Sequence, residues 1–188
     1  MRIKHNIYLT GFMGTGKSTI GKELARFLGK KFVDMDELIE KQIGMTVNEI
    51  FDAHGEDFFR EKEWEAAKEL SEQTGRIVAT GGGTILNDKI RELFQETGLI
   101  ICLFTDKDEL VQRLKRTDKR PLLRGGEEKV ARKVEELLEE RKDIYSISSI
   151  RVNTTNMTPQ EAAKKIIDTL TTYRRILDKL HQQYIIIS

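Results

Sequence analysis

Short runs of β-prone apolar residues alternate along this chain with longer segments whose apolar residues have helical spacing. The runs predict buried strands at 7–10, 31–36, 76–80, 99–104 and 149–152. Helical segments separate these strands, and a last helix is predicted from Pro159 to about Leu180. Because parallel strands need crossover connections, which are usually helices, this order predicts a three-layer α/β domain with a mostly parallel five-stranded sheet.

The first predicted strand leads directly into a glycine loop. Residues 11–18 (Gly-Phe-Met-Gly-Thr-Gly-Lys-Ser) fit G-x-x-x-x-G-K-[ST], the P-loop pattern, and a helix is predicted after them. In such a loop, backbone N–H groups form an anion nest at the helix N-terminus, Lys17 contacts the β- and γ-phosphates, and Ser18 offers its hydroxyl to Mg²⁺. A chance glycine turn, the alternative, does not account for the strand and helix on either side.

Two carboxylates, Asp34 and Asp36, end the second predicted strand. Side chains at i and i+2 of a strand share a face, so both should point into the cleft where open α/β sheets bind ligands. Beside a P-loop, this arrangement predicts one of the two acids near Mg²⁺ and the other near an acceptor hydroxyl. The alternative is a solvated turn in which Asp36 caps the following helix.

Charged residues on the next helices include a candidate anion-binding arginine. A capping box at 46–49 predicts a short helix, and a long helix is predicted from 59 to about 70, after Gly55. Arg60 and Glu63 have i,i+3 spacing on the long helix and can touch. A carboxylate often holds an anion-binding guanidinium still, and an ordinary exposed ion pair is the alternative.

Three consecutive glycines, Gly81, Gly82 and Gly83, follow the third predicted strand. Glycine permits unusual dihedral angles and close backbone approach, and a flexible turn needs only one or two of them. Three therefore predict a ligand that lies on bare backbone. No acid ends this strand, where many P-loop proteins place a metal-binding Asp, so Asp34 is the best substitute.

The segment 117–126 is basic and is interrupted by Pro121 and two glycines. These features are typical of a mobile lid over a polyphosphate. Arg113, in the helix before this segment, and Arg120, within it, are candidate clamps for the γ-phosphate.

Composition indicates one folded domain and argues against several classes of partner. A chain of 188 residues suits a single domain over 1–188, with a core at 7–111 and an unassigned tail at 181–188. The net charge of +1 gives no overall attraction to nucleic acid, and we expect no membrane span or signal peptide. The single cysteine, Cys102, lies in a predicted strand and is interpreted as structural. One cysteine cannot form an internal disulfide, which fits a reducing cytosol, so we expect a cytoplasmic protein. We also expect a monomer.

Together these motifs resemble the shikimate kinases, a family of the nucleoside monophosphate kinase group with a P-loop NTPase fold. The resemblance extends from Ile7 to about Leu170. Its motifs, in family-like order and spacing, are the P-loop, Asp34-Met-Asp36, Phe59-Arg60-Glu61-Lys62-Glu63, Gly81-Gly82-Gly83, Arg120-Pro-Leu-Leu123, and Glu140-Arg141 with Tyr145.

The resemblance implies transfer of the γ-phosphate of ATP to the 3-hydroxyl of shikimate, with ATP and Mg²⁺ as cofactors. The catalytic residues that it implies are Lys17, Asp36 and Arg120, and the metal-site residues are Ser18 and Asp34. Helices at about 36–63 would contribute to shikimate binding, and the implied contacts are Asp36, Arg60, Gly81, Gly82, Gly83 and Arg141. The implied nucleotide contacts are Gly14, Thr15, Gly16, Lys17, Ser18, Thr19, Arg113, Arg120 and Met157. Phe51 and Phe59 match positions that wall the substrate pocket.

The chain departs from the family pattern at two places and leaves two rival functions open. Asp143 replaces a usual Pro, and the loop at 154–157 lacks the Arg common there. One rival is another small P-loop kinase for gluconate or a nucleotide, but these lack a triple glycine joined with Asp-x-Asp and Phe-Arg. The other rival is a non-catalytic metabolite-binding module, against which intact Lys17, Asp36 and Arg120 argue.

Overall fold

The computed structural model describes residues 5–115, 127–146, 148 and 150–185 of the chain. The strands are β1 Asn6–Thr10, β2 Lys31–Asp34, β3 Arg76–Ala79, β4 Gly98–Phe104 and β5 Ile150–Asn153. The helices are α1 Lys17–Leu28, α2 Met35–Ile43, α3 Val47–Ser71, α4 Asp88–Thr97, α5 Lys107–Lys115, α6 Glu127–Glu140, α7 Lys142–Ser146 and α8 Pro159–Ile185, and Thr84–Leu86 forms a 3₁₀ turn. The predicted lid at 117–126, with Arg120, lies outside the described residues, as does the end of the tail at 186–188.

The strands form one five-stranded sheet in the order β2-β3-β1-β4-β5, and every neighbouring pair is parallel. This confirms the predicted three-layer α/β fold. The central strand, β1, places Ile7 opposite Ile77 on one side and Leu99 on the other. Because all strands point the same way, their carboxyl ends share one edge, and β1, β2 and β3 bring residues 11–18, Asp34 and the triple glycine to it.

Side chains alternate across the sheet and build a core on each face. Ile7 and Leu9 of β1 pack with α1 and α8 on one face, for example against Leu24 and Ile166. Tyr8, between them, belongs to the opposite cluster with α2, α3 and α4, where its ring stacks on Phe94 at 3.8 Å between centroids. Apolar contact on both faces holds the sheet edge that carries the loops in a fixed position.

Several predicted boundaries are confirmed and others are corrected. The capping box that opens α3 is present, and the helix kinks at Gly55, whose φ of 81° is left-handed, as expected for two helical segments joined there. The predicted strand at 31–36 is two residues too long, because Asp34 caps α2 and Met35 already begins that helix. Near the end of the chain, α6 and α7 are separated only by a turn at Arg141.

The last helix is longer than predicted. It ends at Ile185 rather than about Leu180, so the first part of the unassigned tail at 181–188 continues α8. Among the helices that the structure describes, none is long and apolar enough to cross a membrane.

Candidate active site

The glycine loop at 11–18 connects β1 to α1, as predicted, and surrounds the N-terminus of that helix. Gly14 and Gly16 have positive φ angles of 84° and 90°. Residues with side chains rarely adopt such angles, so glycine allows this backbone conformation of the loop. The Lys17 ammonium is buried and donates to the carbonyls of Gly11 at 2.9 Å and Phe12 at 3.1 Å. A helix N-terminus, a glycine loop and a lysine therefore meet at one point, which suits a phosphate group.

Ser18 and Asp34 form the candidate metal site. The Ser18 hydroxyl donates to Asp34 Oδ2 at 2.5 Å, while Asp34 Oδ1 accepts from the Asp36 N–H at 3.1 Å. The helix cap of α2 is therefore Asp34, and the alternative of a cap by Asp36 is wrong. The donor set fits Mg²⁺, because that ion prefers hard oxygens and is usually bound by one or two carboxylates together with waters and substrate phosphates.

Asp36 lies beside the cleft, but on a helix and not on the predicted strand. It lies in the first turn of α2 and not on a strand, so the argument from i,i+2 strand spacing is wrong. Its carboxylate nevertheless adjoins the triple glycine: a Cβ on Gly81 would lie 2.8 Å from Asp36 Oδ1. The same Cβ would lie 3.0 Å from Thr84 Oγ1 and 3.2 Å from Glu63 Oε1, so a side chain at position 81 would crowd three polar side chains.

Arg60 is supported by a buried carboxylate. Its Nη1 donates to Glu63 Oε2 at 2.8 Å, and only 1% of the Glu63 side chain is exposed. Thr84, the residue after the triple glycine, donates to Glu63 Oε1 at 2.6 Å. The alternative of an exposed ion pair is therefore wrong, and Glu63 holds the guanidinium as predicted.

Arg60 also contacts an exposed carboxylate, which the sequence reasoning missed. Its Nη2 and Nε donate to Glu56 Oε1 at 2.9 Å and 3.2 Å. Burial opposes the charge of the guanidinium, but Glu63 and Glu56 outweigh that effect, and the pKa of Arg60 is raised. The i,i+4 spacing of Glu56 and Arg60 is the sequence feature that could have predicted this ion pair.

The triple glycine brings Arg141 and Arg60 to one stretch of backbone. Arg141, in the turn between α6 and α7, donates from Nη1 to the Gly82 carbonyl at 3.3 Å. Tyr145 donates its hydroxyl to the same carbonyl at 2.9 Å, and burial raises the pKa of this phenol, which keeps it a donor. A Cβ on Gly83 would lie 3.2 Å from Arg60 Nη2. The structure thus gathers around the glycines Asp36, Arg60 and Arg141, which the resemblance implies as substrate contacts.

Phe51 and Phe59 lie together on α3, near Arg60. Their ring centroids are 4.9 Å apart, and Phe59 is buried. The guanidinium of Arg60 lies 5.6 Å from the centroid of the Phe59 ring. This places an apolar surface beside the arginine, which is compatible with the predicted pocket wall.

Arg113 joins the glycine loop to the loop before α8. It donates to the Gly14 carbonyl at 3.3 Å, to the Thr154 carbonyl at 3.4 Å and to Glu109. Glu109 in turn accepts from the Asn156 N–H at 2.8 Å, and although burial opposes its charge, these hydrogen bonds lower the pKa of Glu109. Sequence reasoning missed Glu109, although its i,i+4 spacing with Arg113 was a signal. Met157 lies in the same loop and packs on the core.

Comparison with known proteins identifies the family. A family model described as shikimate kinase matches residues 13–171. Shikimate kinase of Thermodesulfovibrio yellowstonii is 42% identical over 162 residues, which are 86% of this chain and 92% of that protein. That of a Sulfurihydrogenibium species is 41% identical over 86% of this chain and 95% of its own length. The solved structure of shikimate kinase from Acinetobacter baumannii in complex with shikimate superposes with a TM-score of 0.85 at 34% identity, covering 90% of this chain and 94% of that one.

Proposed function

Because this chain belongs to the shikimate kinase family, we propose that it transfers the γ-phosphate of ATP to the 3-hydroxyl of shikimate, giving shikimate 3-phosphate and ADP. The observation that carries this proposal is the convergence of Arg60, Arg141 and Asp36 on the glycines at 81–83. Guanidinium forks suit a carboxylate, while an acidic oxygen and open backbone suit a polyol. Shikimate carries both groups on one small ring.

The phosphate-binding end of the site consists of the glycine loop and its neighbours. Gly14, Thr15, Gly16 and Thr19 would surround the phosphates with backbone and hydroxyl donors, and Lys17 would exchange its carbonyl partners for phosphate oxygens. Arg113 and Met157 would contact the nucleotide from the loop before α8. Arg120 would cover the phosphates from the segment at 117–126.

Ser18 and Asp34 would hold Mg²⁺, since a hydroxyl and a carboxylate both offer the hard oxygens that this ion prefers. When bound, the ion neutralises charge that develops on the β- and γ-phosphates during transfer. The chain's own contribution is to fix the position of this site, since Asp34 is tied to the first turn of α2.

The acceptor end of the site is arranged for positioning. Arg60 and Arg141 would bind the substrate carboxylate, Glu63 keeps Arg60 in place, and Asp36 would accept a hydrogen bond from the 3-hydroxyl. Phosphoryl transfer passes through a loose transition state in most analyses, so alignment of the nucleophile matters more than its early deprotonation. Asp36 would then take the proton as the new P–O bond forms.

A coupled assay of ADP release tests this proposal. We expect turnover of ATP that depends on shikimate and Mg²⁺, with no comparable rate on gluconate or nucleoside monophosphates. Turnover of one of those alternative acceptors would identify another small-molecule kinase, and binding without any turnover would identify a non-catalytic module. The monomeric state and the cytoplasmic location remain predictions, and light scattering of the purified protein tests the first.

A further inference from the structure

Glu56 binds the edge of the Arg60 guanidinium that a carboxylate ligand would use. Both Nε and Nη2 of Arg60 donate to Glu56 Oε1, at 3.2 Å and 2.9 Å. These two donors form one edge of the guanidinium, an edge that commonly receives carboxylates. The chain therefore already supplies this edge with a carboxylate of its own.

The two carboxylates on Arg60 differ in how readily they can leave. Glu63 is 1% exposed and is fixed by Thr84 at 2.6 Å, so its release would leave a buried charge without its partner. The Glu56 side chain is 63% exposed, and solvent can replace its contact with Arg60 at little cost. Glu56 is therefore the partner that a substrate would displace.

The local backbone gives Glu56 room to move. It follows Gly55, where α3 kinks with a φ of 81°. A Cβ added at Gly55 would meet nothing within 4 Å, so the surface at the kink is open. Because most of the Glu56 side chain is itself exposed, its carboxylate can leave Arg60 for solvent.

Charge balance also favours displacement. With Glu56 and Glu63 both in contact, Arg60 already faces two carboxylates. A substrate carboxylate would be a third, and like charges at close range repel. Release of Glu56 restores the balance, so the cost of that release lowers the affinity of the site for an anionic substrate.

We propose that Glu56 is an internal competitor for Arg60, which holds the guanidinium in the absence of substrate and is displaced by the carboxylate of shikimate. This inference rests on the proposed function, because it requires that shikimate bind at Arg60. Glu56 is in this sense an affinity-determining residue and does not touch the reacting atoms.

Calorimetry of shikimate binding to Glu56→Gln tests the competition. We expect the Kd for shikimate to fall by about two- to fivefold, the range for losing one exposed ion pair, with a matching fall in KM. The Kd for ATP should stay at the parent's value, because the glycine loop is untouched. The control is Glu65→Gln on the same helix, which removes an exposed carboxylate paired with Lys62 and should leave the Kd for shikimate unchanged.

The methyl ester of shikimate provides a second test. It lacks the anionic carboxylate, so Glu56→Gln should improve its binding much less than that of shikimate. Weaker shikimate binding by Glu56→Gln would show that Glu56 supports Arg60, and unchanged binding would show that the contact has no effect; either result overturns the proposal.

Measurements on the parent enzyme separate this inference from the proposed function. If the parent neither binds nor phosphorylates shikimate, both the proposed function and the competition by Glu56 are refuted. If the parent is active and Glu56→Gln behaves like Glu65→Gln, only the competition is refuted.

Discussion

The Ser18 hydroxyl lies 2.5 Å from the Asp34 carboxylate, and this contact joins the glycine loop to the end of β2. Asp34 also caps α2, since its other oxygen accepts from the Asp36 N–H. One side chain thus positions both a candidate metal ligand and the helix turn that carries Asp36. The charge of Asp34 and its capping role can be separated, because Asn is as good a helix cap as Asp.

For Asp34→Asn we expect normal stability but weaker use of Mg²⁺. The Mg²⁺ concentration for half-maximal activity should rise at least about tenfold, as is typical when a residue that orients metal ligands is changed. Asp34→Ala should show the same defect and in addition lose about 1 kcal/mol of stability with the cap. Magnesium titration of the coupled assay and urea unfolding measure the two effects. An Asp34→Asn enzyme with the parent's magnesium dependence would remove Asp34 from the metal site.

The second prediction concerns the two arginines. Lysine at position 60 or 141 keeps the charge but lacks the planar fork, so each substitution should weaken shikimate binding by roughly 1.5–3 kcal/mol, the range for hydrogen bonds to charged groups. ATP affinity should change little, since both side chains lie at the glycines of 81–83. Calorimetry with each ligand separates these effects. Parental shikimate affinity in both variants would contradict the assignment.

Local signals in the sequence were enough to predict the glycine loop and most elements. The P-loop pattern specifies its own geometry, and the capping box at 46–49 specifies a helix start. The predicted strand at 31–36 is too long because the Asp34 side chain caps α2, so the helix begins where the strand pattern still continues. The predicted position of Asp36 beside the cleft is therefore correct, but the predicted strand conformation at this residue is wrong.

Contacts between distant segments could not be predicted in this way. Thr84 contacts Glu63 across 21 residues, and Arg113 contacts the Thr154 carbonyl across 41 residues. Such pairs depend on how α3, α5 and the loops pack on the sheet, which periodicity does not specify. The i,i+3 spacing of Arg60 and Glu63 showed that they could touch, but the burial of Glu63 came from its tertiary surroundings.

The third prediction compares two of the three glycines. A Cβ on Gly81 would crowd Asp36, Thr84 and Glu63 at 2.8–3.2 Å, whereas one on Gly82 would meet its nearest neighbour at 3.5 Å. Gly81→Ala should therefore cost about 1–3 kcal/mol of stability through overpacking, and Gly82→Ala should cost much less. Urea unfolding of the two variants checks this order. Equal stability of the two variants would contradict the prediction, because it would show that Asp36, Thr84 and Glu63 move aside at little cost.

The fourth prediction concerns acid stability at the start of α3. Hydrogen bonds from Thr46 lower the pKa of Glu49 below its ordinary 4.5. A carboxyl group whose pKa is lower in the folded state adds stability that is present above 4.5 and is lost as the pH falls through the folded pKa. Glu49→Ala should therefore destabilise the protein more at pH 7 than below that pKa. Urea unfolding of parent and variant across this range measures the difference, and a constant difference would contradict it.

The last prediction concerns Asp36, whose carboxylate adjoins Gly81 in the first turn of α2. Asp36→Asn keeps the shape and one acceptor oxygen but removes the charge and the proton acceptor. General-base contributions are typically ~10²–10⁴-fold, so we expect kcat to fall by at least about a hundredfold. ATP binding should be nearly unchanged, because Lys17 and Ser18 are untouched. The matched control is Glu37→Gln, an exposed neighbour in the same helical turn, which should retain the parent's kcat. If Asp36→Asn kept kcat within about tenfold of the parent, Asp36 would bind the substrate without taking its proton.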